Sequence, residues 1–444
     1  MIKSIEKKQI HLLNKAKKYI KSLKIKNIDT SKSCFCYLNT YSPTPGYAKV
    51  MSWLNKKKFI KDYILFIFNH IFSISRYSQF ILINNKNQKF KNILITWGKK
   101  ADFINGIFYD KFTNSRSNQY KKTIIFLIYL DDILPKKIPE NVIILYNKKK
   151  FDFRFFLKLF LKTIFKNSFS LRKFFHYFSS QTVFAEIVNT KLFSIISKNK
   201  ISKIILPYEG QPFQNYVLKN LKKKNKKIIT IGFIHSMIPA LPLNFIKRDG
   251  SPDLIYLSGV SQKNLFLKYL DWKSKDIKII DSIRIKRKMM KFQFNAIFFA
   301  MHLSKNLKIL HELEKFLYGQ KKHSLPHLAI KKHPQMLTSK EQLILENKIR
   351  QLFIYYKDKF NLNSKKNYSF HIGPTSAFIQ YLENKKHAIH FTVLPELDLY
   401  TKRIWKKITP IKLNSYSFSY KLVEKQKILK LSSYNFNIFK TDIL

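Results

Sequence analysis

KIILPYEGQPF, residues 203–213, is the stretch that decides the fold. Residues 203–207 form a short apolar run closed by turn residues, the pattern of a buried strand. Tyr208-Glu209-Gly210 turns the chain. Pro212-Phe213 then opens a helix, since proline's fixed φ is tolerated in a first helical turn. A second apolar run follows at 228–234. Strand, tight turn, helix, strand is the unit from which parallel sheets flanked by helices are built.

The alternation extends outward on both sides. Strands are expected at 93–97, 123–131, 142–146, 254–257 and 277–283, then in a second series at 296–300, 328–331, 369–372 and 388–391. Residues 1–30 read as a Lys-studded helix. The polar run Arg284-Ile285-Lys286-Arg287-Lys288 precedes a fresh strand and marks a boundary. The expected division is 1–285 and 286–444, with a last helix at 420–431 packing back on the first part. Only nine glycines occur, and Gly98, Gly210, Gly259 and Gly373 all fall just beyond expected strand ends. Ligands of open α/β sheets bind there, and tight turns there need glycine anyway. Both readings stay open.

With 444 residues, 45% hydrophobic and 15% aromatic, the chain has enough apolar mass for full cores, unlike a disordered protein. The formal net charge of +58 invites a nucleic-acid reading. Yet Lys, Ile, Asn and Phe abound while Gly and Ala are scarce. That is the mark of an AT-rich genome, which spreads Lys over every solvated surface. No specific nucleic-acid partner is expected, though the charge attracts anionic lipids, nucleotides and acidic glycans at low salt. Cys34 and Cys36 are too few for a disulfide framework or a zinc site. Neither a signal peptide nor an apolar stretch of spanning length is visible. The expectation is a cytoplasmic protein, peripheral on the inner membrane. The membrane element is 151–178, where Arg154, Lys158, Lys162 and Lys166 form a basic stripe beside Phe, Leu and Ile. An ordinary buried helix pair is the alternative there.

The groups able to do chemistry gather at strand ends. Glu209 is a partly desolvated carboxylate suited to take a proton from a sugar hydroxyl, or else a cap for backbone N–H groups. His235-Ser236 ends the next strand, so His235 is expected to face Glu209, to bind substrate or assist proton transfer; a structural histidine is the alternative. Gln211 and Ser236 are candidate acceptor ligands. His333, after Lys331-Lys332, can donate to a leaving phosphate, with Pro334 fixing the turn. Gly373, Thr375 and Ser376 precede a helix whose N-terminal N–H groups and hydroxyls make an anion site or a plain cap. Glu383, near the end of that helix, is placed for a ribose. No phosphate loop, Gly-x-Gly-x-x-Gly, His-Glu-x-x-His or Asp-x-Asp occurs; Glu396-Leu397-Asp398 is the nearest acidic pair. Chemistry without a metal or cofactor is expected.

The ordered set Glu209-Gly210, His333-Pro334 and Thr375-Ser376 resembles the two-domain (GT-B) bacterial glycosyltransferases that use CMP-activated sugars: the sialyltransferases, polysialyltransferases and capsule Kdo-transferases. Tyr208-Glu209-Gly210-Gln211-Pro212-Phe213 and Gly232-Phe233-Ile234-His235-Ser236 are similar to segments of uncharacterised surface-carbohydrate biosynthesis proteins. So are Trp97-Gly98 and the run from Phe126 to Asp131. The likeness spans roughly residues 90–395. It implies two Rossmann-like domains facing a central cleft. It also implies Glu209 as base, and His333, Thr375 and Ser376 as ligands of the CMP phosphate. This sequence departs where the families carry a first acid, which here is Tyr208. The expected activity is inverting transfer of a sialic-acid- or Kdo-like sugar to a glycan or lipid-linked glycan acceptor. The alternatives are a polyol-phosphate transferase on the same scaffold and a basic nucleic-acid- or membrane-binding protein.

Overall fold

A computed structural model describes all residues except 42–43, 55–67, 69–70, 72, 75–78, 85–89, 121, 149–152, 167–169, 198, 284–295, 300–306, 320–328, 332–339, 358–367, 384–386, 424–427 and 431–444. The chain is α/β. Its larger sheet has eight strands. They are β1 (Phe80–Ile83), β2 (Asn92–Gly98), β6 (Thr123–Tyr129), β7 (Val142–Asn147), β8 (Lys203–Pro207), β9 (Ile229–Phe233), β10 (Leu254–Leu257) and β11 (Ile277–Ile279), in the order β1-β7-β6-β2-β8-β9-β10-β11. Only β1 runs antiparallel. After the edge strand β1 the chain enters the middle at β2, winds outward through β6 and β7, then returns to β8 on the other side. A switch point therefore lies between β2 and β8.

The near-continuous apolar strands follow from this placement, because both faces are covered, one by helices and the other by short strands and loops that carry Phe108, Tyr120 and Leu134. In β6 every residue is buried. Ile124, Phe126 and Ile128 join one core, and Ile125, Leu127 and Tyr129 the other. The first core is closed by helices Ser180–Ile196 and Pro212–Lys224 through Val188, Leu192, Phe213 and Leu218. Three two- to four-residue strands, β3 (Phe103–Ile104), β4 (Ile107–Asp110) and β5 (Ser115–Arg116), form a small meander beyond the end of β2. Neither these nor β1 is expected from the sequence; each is too short for a periodic signal.

The second sheet has the order β13-β12-β14-β15-β17-β16, from β12 (Ala296–Phe299), β13 (Ala329–Lys331), β14 (Tyr368–Ile372), β15 (His387–Phe391), β16 (Ile408–Lys412) and β17 (Ser417–Leu422). The first four are parallel, and β17 runs antiparallel to both its neighbours, β15 and β16. Phe370, Ile372, Ile389 and Phe391 pack one face on helices Leu307–Gly319 and Lys340–Lys357. Residues 417–422 correct the expectation of a helix at 420–431. They alternate with period two, Phe418 and Tyr420 buried between Ser419 and Lys421, and pair with β15 and β16. The segment at 428–430 does return to the first sheet: Lys430 N–H donates to Ser258 O at 2.6 Å and Ser282 N–H donates to Lys430 O at 2.7 Å.

One hydrophobic cluster joins both sheets. Helix Ile2–Ile25 contributes Ile5, Leu12, Leu13, Ala16 and Ile20, a helical stripe. They meet Tyr208, Ile234, Ile238 and Leu257 from the larger sheet and Phe378, Ala388, Trp405 and Phe418 from the smaller. Polar ties reinforce the seam. Tyr400 Oη donates to Ile238 O at 2.6 Å, and Trp405 Nε1 to Ala240 O at 2.8 Å. Gln9 on the first helix donates to Leu399 O at 2.8 Å and accepts from Thr401 at 2.7 Å.

Candidate active site

Adjacent parallel strands place Glu209 beside His235. Pro207 of β8 pairs in register with Phe233 of β9. Glu209 and His235 each follow that pair by two residues, so strand spacing alone brings their backbones close. The side chains converge: His235 Nε2 lies 3.9 Å from Glu209 Oε1. The imidazole is 8% exposed and the carboxylate 30%, so the pair is seated in protein with the acid open to solvent. Gln211 Nε2 donates to the other carboxylate oxygen at 2.7 Å. Three residues singled out in the sequence thus form one cluster at the carboxyl ends of the strands, next to the switch point, where open α/β sheets bind ligands. Ser236 is partly exposed just beyond His235.

The turn that carries Glu209 is held from behind. Gly210 has φ +70°, and a Cβ there would lie 2.2 Å from Asn244 O. Only glycine fits both demands. Asn244 Nδ2 donates to Glu209 O at 2.7 Å, and Gln214 Oε1 accepts from the Glu209 and Gln211 N–H groups at 2.9 and 3.1 Å. The buried Arg248 guanidinium donates to Gly210 O and, at 3.0 Å, to Asn244 O. These groups cap the backbone, leaving the Glu209 carboxylate to face outward. Tyr208, standing where the resembled families carry an acid, is a core residue. Its hydroxyl donates to Asn215 Oδ1 at 2.8 Å, and its ring packs on Phe245.

The site also has a wall the sequence reading missed. Tyr37 and Tyr41, more than 160 residues upstream, bond hydroxyl to hydroxyl at 2.7 Å. Tyr37 also lies beside the Gln211 side chain. Burial, then the Glu209 charge, pushes the Tyr37 phenol up; burial, Tyr37 and Glu209 do the same for Tyr41. Both therefore stay protonated as donors beside the carboxylate. On the other flank Phe112, in the turn after β4, sits edge-on to the His235 ring with centroids 4.7 Å apart and also packs on Trp97. Asp110 fixes that turn by accepting from Thr96 at 3.0 Å, Phe112 N–H at 2.9 Å and Thr113 at 2.8 Å. Burial raises its carboxyl to about 6 against the pull of those donors. No signal near Glu209 in the chain points to any of these residues, because tertiary packing alone brings them in.

In the second sheet Gly373, at φ +76°, turns the chain beyond β14. His390, fully buried on β15, supports this turn: its Nε2–H donates to Gly373 O at 2.8 Å, and its Nδ1 accepts from Tyr420 Oη at 2.8 Å. Burial holds its imidazole down at about 4, so it is neutral. Thr375 Oγ1 accepts from Ala377 N–H at 3.2 Å, a capping bond. The Tyr400 hydroxyl lies beside Ser376 and donates to Ile238 O, three residues beyond His235. The two strand-end loops are thereby linked through one tyrosine. His333 and Pro334 lie outside the described residues.

Some sequence expectations are corrected. Glu383 does not offer its carboxylate to a ribose; its Oε1 accepts the Ile428 and Leu429 N–H groups, pinning the returning C-terminal segment. Gly259 serves close packing of that same segment, since a Cβ there would meet Ile428 O at 2.0 Å. Glu396 faces Lys8 at 3.2 Å and Asp398 accepts from Thr392 at 2.7 Å. Among the described residues no group of three His, Cys, Asp or Glu is placed to hold a metal. No helix among them is long and apolar enough to cross a membrane. No protein-family model matches this chain, and no curated protein matches it.

Proposed function

We propose that the chain is an inverting glycosyltransferase of the two-domain (GT-B) kind, each sheet being the core of a Rossmann-like domain, that takes its sugar from a CMP-activated donor. The observation that carries this reading is the Glu209–His235–Gln211 cluster at the switch point of the larger sheet. A carboxylate held by one amide, 3.9 Å from an imidazole and still open to solvent, is arranged to accept a proton. Glu209 removes the proton of the acceptor hydroxyl as its oxygen attacks the anomeric carbon. The bond to the phosphate oxygen breaks and CMP leaves. His235 orients Glu209 and shares the proton. Gln211, Ser236 and the Tyr37–Tyr41 pair supply donors and acceptors for acceptor hydroxyls. The strand-end loop Gly373-Pro374-Thr375-Ser376, together with His333 and Pro334, is assigned to the nucleotide phosphate. Lipopolysaccharide or capsule glycans on a lipid carrier are the proposed acceptors.

The test uses CMP, UDP and GDP as thermal-shift probes, and release of CMP from CMP-sialic acid and CMP-Kdo as the activity. CMP is expected to stabilise the protein selectively, and His333→Ala to remove that shift. Glu209→Gln should lower turnover by about 10²-fold or more while CMP binding persists. Equal turnover in Glu209→Gln sinks the base assignment. Stabilisation by no nucleotide sinks the transferase reading, and a phosphodiester product replaces it with polyol-phosphate transfer.

A further inference from the structure

Helix Phe153–Lys166 shows two faces that do different work. Its inner face carries Phe155, Phe156, Leu159 and Phe160, packed against Ile74, Phe178 and Val183. Its outer face carries Phe153, Leu157, Leu161 and Phe165, spaced by four and 60%, 42%, 42% and 64% exposed. The inner residues hold the helix to the protein, while the outer apolar row stays largely exposed. Beside that row, one residue on at each turn, stand Arg154, Lys158 and Lys162, all exposed. Lys162 lies 3.9 Å from Glu186. Residues 153–185 contain six Arg or Lys and no Asp or Glu.

We propose that this outer face docks the protein on an anionic membrane surface. An aqueous partner protein would meet the Arg and Lys row with acids and cover the apolar row with a groove. A lipid interface answers both rows with one surface: headgroup phosphates meet the cations, and the acyl boundary takes the Phe and Leu side chains a few ångströms deeper. The excess of cations over acids complements negative charge, and the helix lies flat instead of spanning. The docked face also connects to the candidate site. His176 Nδ1, on the adjoining helix Leu171–Tyr177, bonds to Ser33 Oγ at 2.6 Å, and the Tyr177 hydroxyl accepts from Asp29 N–H. The segment that follows carries Tyr37 and Tyr41 to Glu209. The proposal rests on the helix face and does not depend on the transferase reading.

The test is flotation of the full chain with vesicles of equal parts phosphatidylglycerol and phosphatidylcholine, at roughly 0.15 M salt to screen generic attraction of a basic protein. The quadruple variant Phe153→Ser, Leu157→Ser, Leu161→Ser and Phe165→Ser keeps every charge. Its binding is expected to fall about tenfold or more. A control with Ile354→Ser and Tyr355→Ser, equally exposed on another helix, should bind as the parent does. A second measurement covers misfolding. A Leu161→Cys protein labelled with an environment-sensitive dye should brighten on these vesicles; Cys34 and Cys36 are buried and do not compete. Undiminished binding of the quadruple variant would reduce the effect to charge alone and overturn the proposal. So would a dye that does not respond, or a dimer in free solution that the four serines dissociate.

Discussion

Replacing Gly210 by alanine tests whether the Glu209 turn is rigid. Two costs follow from the structure. Alanine at φ +70° sits in the left-handed region, which costs an L-residue about 1–2 kcal/mol. Its Cβ would also lie 2.2 Å from Asn244 O, roughly 1 Å inside contact. That oxygen is backbone, and Arg248 donates both to it and to Gly210 O. Neither side yields without breaking buried bonds, so an overpacking cost of about 1–3 kcal/mol is added. The total is about 2–5 kcal/mol. Gly106→Ala is the internal control, with φ +77° but only the Lys137 side chain nearby, at 3.5 Å. It should cost about 1–2 kcal/mol, the backbone part alone. Urea unfolding of the two variants reads the difference. CMP release by Gly210→Ala should fall with it, because Asn244 couples the same strand-end loop to Glu209. If Gly210→Ala is no more damaging than Gly106→Ala, the 244–248 loop gives way and the rigid cradle is wrong.

Acid should loosen the second sheet through His390. Its folded value of about 4 lies below its ordinary 6.5, so the unfolded chain binds the proton first and stability is lost as pH falls through that window. At about 1.4 kcal/mol per unit, the loss from pH 7 to 5 approaches about 2 kcal/mol. Asp398, raised to about 7, and Asp110, raised to about 6, act in the opposite sense, so unfolding of the parent must be compared with His390→Gln at each pH. A variant with the same acid loss as the parent would remove His390 from the account. Glu383→Gln weakens two bonds to backbone N–H at 428 and 429 and should cost about 1–3 kcal/mol. Hydrogen exchange should quicken there; protection equal to the parent's counts against the pin. Tyr400→Phe strands the Ile238 carbonyl, for about 1–3 kcal/mol, and should shift both thermal stability and CMP affinity if the two strand-end loops are coupled. A change in stability with no change in CMP affinity would uncouple them.

Local sequence determined the parts whose signal is local. Near-continuous apolar runs mark strands buried on both faces, and β2, β6, β8, β9 and β10 lie where that pattern puts them. The strand-turn-helix reading of KIILPYEGQPF placed Glu209 at a strand end, and the next apolar run placed His235 at another. The helix expected from Tyr420 onward is instead the end of a strand, because the partners that make it one, β15 and β16, are set by tertiary pairing. Strand order was decided only by the folded chain, and order is what makes neighbours of Glu209 and His235 and opens the switch point beside β2. Tyr37, Tyr41, Phe112, Asn244 and Arg248 reached the site the same way. Their roles come from distance in space, and short-range patterning in a sequence carries no record of contacts between residues so far apart along the chain.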